Sequence, residues 1–216
     1  MTDHYFSADP SVPFAREPFS CEVWGQRLDL LSGTGVYSRG RLDGGTAVLF
    51  RETEPPAPGH VLDLGTGYGV IGLAIAAAWR RDGVPADEAS GVTGVEVNQR
   101  AVLLANQNAT ALGLQDRFVA CDPGVVPDRL RVDEIWSNPP IRIGKEALHD
   151  LLLLWFARLR PDGRAVMVVG KNLGGDSLQA WLTDQGYPTT RLAGAKGFRV
   201  LESRRELGRS LRSDHP

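Results

Sequence analysis

The chain has 216 residues, of which 42% are hydrophobic and 23% charged, with a formal net charge of −2. This is enough sequence to bury one full core without a second domain, and a near-neutral charge excludes a polyelectrolyte that coats nucleic acid over its whole surface. No apolar run approaches the roughly 18 residues of a membrane span, and Asp3, Asp9, Glu17 and Glu22 interrupt the start of the chain, so a soluble, cytoplasmic protein with no membrane partner is expected.

In chain order, residues 1–20 carry three prolines and no periodicity and read as an extended arm. Alternation on either side of Gly25 predicts a hairpin from Cys21 to Leu31, followed by a glycine-rich loop, Gly33 to Gly40, and a short helix from Thr46 to Arg51. Pro55, Pro56 and Pro58 mark the boundary with the main sheet. Strand and helix then alternate. Strands are predicted at Val61 to Leu64, Val92 to Val97, Arg117 to Cys121, Glu134 to Ser137 and Ala165 to Val169, and helices at Val70 to Trp79, Gln99 to Leu112, Lys145 to Arg158 and Ser177 to Gln185. Two last strands, near Tyr187 to Leu192 and Phe198 to Leu201, are separated only by Ala193 to Gly197 and should pair antiparallel at the sheet edge. The pattern implies an α/β fold with a doubly wound, seven-stranded, mostly parallel sheet covered by helices on both faces. Three regions follow: 1–58, an arm, hairpin and loop packed on the core; 59–203, the core itself; and 204–216, a charged tail. Cys21 and Cys121 are the only cysteines, too few for a disulfide scaffold or a zinc cluster, and neither is assigned a metal.

The first chemical signal is Val61-Leu62-Asp63-Leu64-Gly65-Thr66-Gly67-Tyr68-Gly69, an apolar strand that ends in an acid and opens into alternating glycines. Gly67-Tyr68-Gly69-Val70-Ile71-Gly72 formally satisfies a dinucleotide fingerprint. Asp63, however, would repel a pyrophosphate and can face a cationic sulfonium, so S-adenosylmethionine is favoured over a nicotinamide dinucleotide. Glu96 ends the second strand, where a carboxylate can accept from both ribose hydroxyls, and Asp122 ends the third, where it can accept from an adenine amine. Val97 and Thr46 complete the expected cofactor contacts, while Asn98 serves equally well as a helix cap.

The second signal is Asn138-Pro139-Pro140, which stops an apolar strand in a rigid loop. An exocyclic amine on a base is a poor nucleophile because its lone pair is delocalised into the ring. The Asn138 amide oxygen and the Pro139 carbonyl offer two acceptors for its N–H groups and need no strong base, and the prolines preorganise them. An aspartate at position 138 would keep an acceptor in place.

These motifs resemble those of class I S-adenosylmethionine-dependent methyltransferases of the methyltransferase-small group, and the chain is similar to the ribosomal RNA small subunit methyltransferase C family in a short stand-alone form. The resemblance runs through His4-Tyr5-Phe6-Ser7, Gly35-Val36-Tyr37-Ser38, Asp43-Gly44-Gly45-Thr46, the glycine loop, Asn138 to Glu146, and Gly197-Phe198-Arg199-Val200-Leu201. It implies a Rossmann-like fold and methylation of the N2 amine of guanine in ribosomal RNA, naked or within a ribosomal subunit. Adenine and a protein glutamine amide are the alternative acceptors, and a non-catalytic RNA-binding module is the alternative class. Family members with a further related domain place an aromatic after the second proline to stack on the base, where this chain has Ile141. Stacking therefore passes to Tyr37, Phe6 or Trp136, with Arg142 and Lys145 beside them and Lys171, Lys196 and Arg199 as further phosphate contacts. His149 reads as packing, and the run Leu151 to Phe156 as a buried helix.

Overall fold

The structure is a computed structural model that describes residues 13–87, 90–171 and 174–205. Two strands, β1 (Arg16–Val23) and β2 (Gln26–Gly33), form the hairpin. Their two-residue turn, Trp24-Gly25, has φ of 48° and 73°, the doubly positive geometry whose twist matches that of the flanking strands. Pairing starts at Arg16, inside the segment expected to be an arm, because Pro18 occupies a register position that needs no N–H toward its partner. The rest of the expected arm, residues 1–12, and the end of the tail, residues 206–216, lie outside the described residues.

Helix α1 (Gly44–Arg51) leads into the alternating core: β3 (His60–Leu64), α2 (Val70–Arg81), β4 (Gly91–Val95), α3 (Gln99–Ala111), β5 (Phe118–Cys121), β6 (Val132–Ser137), α4 (Lys145–Phe156), β7 (Leu159–Gly170), α5 (Gly175–Asp184), β8 (Thr189–Ala195) and β9 (Phe198–Arg204). The seven-stranded sheet has the order β5-β4-β3-β6-β7-β9-β8, with β9 antiparallel to both its neighbours. The mostly parallel sheet and its antiparallel edge pair are as the alternation implied. Strand β7 begins six residues earlier than periodicity suggests, with an irregularity at Asp162 (φ 66°) and Gly163, where a Cβ would meet the Asp133 carbonyl at 2.9 Å. No described helix is long and apolar enough to cross a membrane.

The core divides between the two faces of the sheet. One cluster joins the hairpin, α1, α2 and α3 to Val61, Trp136 and Val168, and the other joins α4 and α5 to Leu62, Ile135 and Met167. Alternation along β3 and β6 sends successive side chains to opposite clusters, and each fully buried aliphatic side chain stabilises by about 1.5–3 kcal/mol. Helix α2 is buried along almost its whole length, and Gly72 makes this possible: a Cβ there would lie 2.5 Å from the Phe118 ring.

Two asparagines on α3 fasten strands by both ends of an amide. Asn108 accepts from the Leu31 N–H and donates to the Leu31 and Tyr68 carbonyls, docking the hairpin on the core. Asn106 accepts from the Ala120 N–H and donates to the Ala120 carbonyl, both at 2.9 Å, on the outward side of the edge strand β5.

Candidate active site

Strands β3 and β6 are parallel neighbours with Leu64 opposite Ser137, so the glycine loop and the Asn138 loop leave the sheet side by side. The Ser137 hydroxyl donates to the Leu64 carbonyl at 2.7 Å and locks the two exits together. Gly65, Gly67 and Gly69 have φ of 72°, 56° and 94°, left-handed conformations that glycine adopts without a Cβ penalty. On the other side of β3, strand β4 delivers Glu96. One of its carboxylate oxygens accepts from the Gly67 N–H at 3.1 Å and the other from the Asn98 N–H at 2.9 Å. Burial pushes its carboxyl above the usual carboxylate range, against the pull of those N–H groups. Asn98 caps α3 through its side-chain oxygen and donates to the Gly35 carbonyl at 2.7 Å, joining the glycine-rich loop to the site.

Asp63, expected to face a ligand, lies fully buried under the glycine loop instead. Its Oδ2 accepts from the Thr66 hydroxyl and from the Gly72 N–H at 2.8 Å, so it braces the loop from below. Its Oδ1 has no partner, and burial raises its pKa to about 6. Asp122 also turns away from its expected role: its carboxylate caps the Gly124 N–H at 2.7 Å and accepts from Gln99 at 3.0 Å.

Asn138 is held from a direction that strand order alone does not suggest. Its Nδ2 donates to Asp43 Oδ2 at 2.7 Å and to Thr46 Oγ1 at 3.0 Å. Asp43 is the N-cap of α1, accepting from the Gly45 and Thr46 N–H groups, and its second oxygen accepts from the Tyr37 hydroxyl at 2.7 Å. With both amide hydrogens committed, Asn138 has its oxygen left for a ligand. The Pro139 carbonyl accepts from the Ile141 N–H at 2.8 Å, closing a tight turn centred on Pro140 (φ −75°, ψ 72°) and leaving that oxygen one free lone pair.

A cavity of about 310 Å³ joins these parts. Thr46, Gly65, Thr66, Gly67, Tyr68, Glu96, Val97, Asn138, Pro139, Pro140, Tyr37 and Ile141 line it; Asp63, Gly69 and Asp122 do not. Asp43 and Phe198, which stand out in the sequence only as parts of longer motifs, also line it. Among the rings expected to stack on a base, Trp136 is fully buried, packs edge-on against Trp24 and donates its Nε1–H to Glu134, so it cannot serve. Phe6 and the side chain of Arg142 lie outside what the structure describes. Arg199 is not available for phosphate, because its guanidinium is buried against the carboxylate of Asp176. Lys145, Lys171 and Lys196 are exposed, and His149 stacks on Trp181 with centroids 3.5 Å apart.

A family model described as the methyltransferase small domain matches residues 27–202. The protein YbxB of Bacillus subtilis is 28% identical over 208 residues, covering 95% of this chain and 100% of that protein. Ribosomal RNA small subunit methyltransferase C of Pseudomonas aeruginosa is 30% identical over 202 residues, covering 92% of this chain and 57% of the relative, so the chain spans little more than half of that protein. A T. thermophilus 16S rRNA N2 methyltransferase, solved with AdoMet and guanosine, superposes with a TM-score of 0.74 at 24% identity, covering 91% of this chain and 52% of that one. At that identity the likeness establishes the fold.

Proposed function

The chain belongs to the methyltransferase small domain family, and from that premise we propose that it transfers the methyl group of S-adenosylmethionine to the exocyclic N2 amine of guanine in ribosomal RNA, free or within the small subunit. The residues present fit the cofactor. Glu96 lines the cavity with its carboxylate fixed by the Gly67 and Asn98 N–H groups, where ribose hydroxyls would donate to it. Asp63 lies beneath the glycine loop and braces it, so it would act on the cofactor only through the loop that it holds in place.

One observation carries the choice of acceptor. Because the Asn138 amide hydrogens are bound by Asp43 and Thr46, the group Asn138 turns to the substrate is an acceptor, and an acceptor selects a nitrogen that carries N–H. The second lone pair of the Pro139 carbonyl takes the other N–H. Together they hold the amine as its nitrogen pyramidalises and its lone pair is freed from the ring. Bound S-adenosylmethionine supplies an electrophilic methyl group on a sulfonium. Asn138 and Pro139 would hold the amine for that transfer, in which the N–C bond formed replaces the C–S bond, the sulfur would leave as a neutral thioether and the surplus N2 proton would pass to water. The likeness to relatives named as acting on small-subunit ribosomal RNA supports guanine as the base.

The test uses ribosomal RNA and small subunits from a strain lacking the gene, incubated with the protein and labelled cofactor. Nucleoside mass spectrometry is expected to find N2-methylguanosine. Methylated adenosine, or label on a protein glutamine, would overturn the reading.

A further inference from the structure

We infer that Phe198 is the ring on which the target base stacks, in the role that Ile141 leaves without an aromatic side chain. This rests on the methyl-transfer reading above and adds the residue that positions its substrate.

The sheet order divides the site into two halves. Glu96 follows β4 on one side of β3, and Asn138 follows β6 on the other. Strand β9 runs antiparallel, so its first residue, Phe198, emerges at the same edge as Asn138, two strands further from Glu96. The intervening strand β7 ends at Gly170, opposite Phe198 in register. Gly170 lines the cavity too, and having no side chain it places nothing between Asn138 and the ring.

The ring is also held at a fixed place relative to the acceptor. A Cβ at Gly45 would lie 3.1 Å from Phe198 Cε1, and one at Gly44 would lie 3.8 Å from Cε2. The first turn of α1 therefore packs bare backbone against Phe198 while its cap, Asp43, grips Asn138. A half-buried ring and an amide oxygen are thereby tied to one short helix. Exposed lysines flank the ring: Lys196 lies two residues before it, and Lys171, whose N–H donates to the Gly197 carbonyl at 2.8 Å, follows Gly170. A ring between cationic side chains is the arrangement by which unpaired nucleotides are held, the base on the ring and the phosphates on the charges. Of the other rings lining the cavity, Tyr68 and Trp155 are 4% and 2% exposed and serve the core, which leaves Tyr37 as the rival.

The test compares Phe198→Leu, which keeps an apolar group against Gly45, with Phe198→Tyr, which keeps the ring, using small subunits from the deletion strain. Phe198→Leu is expected to raise KM for the subunit roughly 10- to 100-fold, the range for losing one stacked base, with unchanged affinity for S-adenosylmethionine by calorimetry. Phe198→Tyr is expected to restore a KM near that of the wild type. A wild-type KM for Phe198→Leu, a parallel loss of cofactor affinity, or a KM that rises only with Tyr37→Leu would overturn the role of Phe198. The product of the wild-type protein is identified in the same reactions. A nucleoside other than N2-methylguanosine would overturn the underlying reading, whichever way the ring comparison falls.

Discussion

Asn138 donates to Asp43 at 2.7 Å across 95 residues of sequence, and this contact decides which end of its amide faces the cavity. Asn138→Ala is expected to lower kcat roughly 10²–10³-fold, as for other single preorganised polar groups, with cofactor affinity unchanged. An aspartate at 138 is a different matter from what its chemistry alone implies. It would keep an acceptor, but it would set a second carboxylate against Asp43, and like charges at that distance either repel or share a proton. Asn138→Asp should therefore be no better than alanine. Asp43→Asn should not rescue it, because the Oδ2 that faces Asn138 also caps the Gly45 and Thr46 N–H groups: an amide there either keeps the cap and meets the aspartate at 138 acceptor to acceptor, or turns its donor inward and loses the cap. Single-turnover rates at saturating cofactor measure this, and an Asn138→Asp protein as active as the wild type would show that the contact does not orient the amide.

Glu96 has two jobs in one carboxylate, since the oxygens that line the cavity also accept from Gly67 and Asn98. Glu96→Ala is expected to weaken S-adenosylmethionine binding by about 1.5–3 kcal/mol, the range for hydrogen bonds to a charged group. Titration calorimetry checks the figure, and an unchanged affinity would remove Glu96 from the cofactor site.

The buried Asp63 predicts a pH dependence of stability with a definite sign. Its carboxyl stands at about 6 in the fold against 3.8 in the unfolded chain, so between these values the native state binds the extra proton. Stability from this group is fully present below the lower value and is lost as pH rises through the higher one, by on the order of 3 kcal/mol. Relative to the wild type without cofactor, the gain of Asp63→Asn in denaturant resistance should grow as pH rises from 3.8 to about 6 and stay level above that. Parallel curves for the two proteins would mean that the carboxyl titrates as it does in water.

Lys145, at the start of α4, is exposed beside the Asn138 loop. Lys145→Ala should weaken RNA binding while sparing cofactor affinity, and should make the slope of log K against log salt shallower by roughly 0.7–0.9, as for one lost phosphate contact. An unchanged slope would place the RNA path elsewhere.

The alternation of strands and helices was legible because its signals are local: glycine turns, proline stops and period-two runs each lie within one short window. The adjacency of the glycine loop and the Asn138 loop was legible for the same reason, through the topology that short crossovers impose. What escaped depends on partners far apart in sequence. Asp43 stands out only as one residue of a motif, yet it joins Tyr37, α1 and Asn138. Trp136 reads as an available ring because nothing in its own strand says that Trp24 will cover it, and Arg199 reads as a free cation because Asp176 lies on another element. Asp63 shows a further limit: an acid at a strand end can point at a ligand or brace the loop beneath it, and the difference lies in the Thr66 hydroxyl and the Gly72 N–H.

The amide of Asn106 on the outer side of β5 bears on how copies of this molecule can meet. Growth of a continuous sheet from chain to chain consumes two open edges per copy, and here the Ala120 N–H and carbonyl at one edge are already taken. The other edge strand, β8, is guarded in the same way at its start, where the Thr189 N–H donates to Thr183 and the Thr189 carbonyl accepts from Gln179, both at 3.2 Å. With a side-chain clamp on each edge strand, neither end of the seven-stranded sheet presents an unbroken ladder to a second chain, so its extension from copy to copy is disfavoured at both ends.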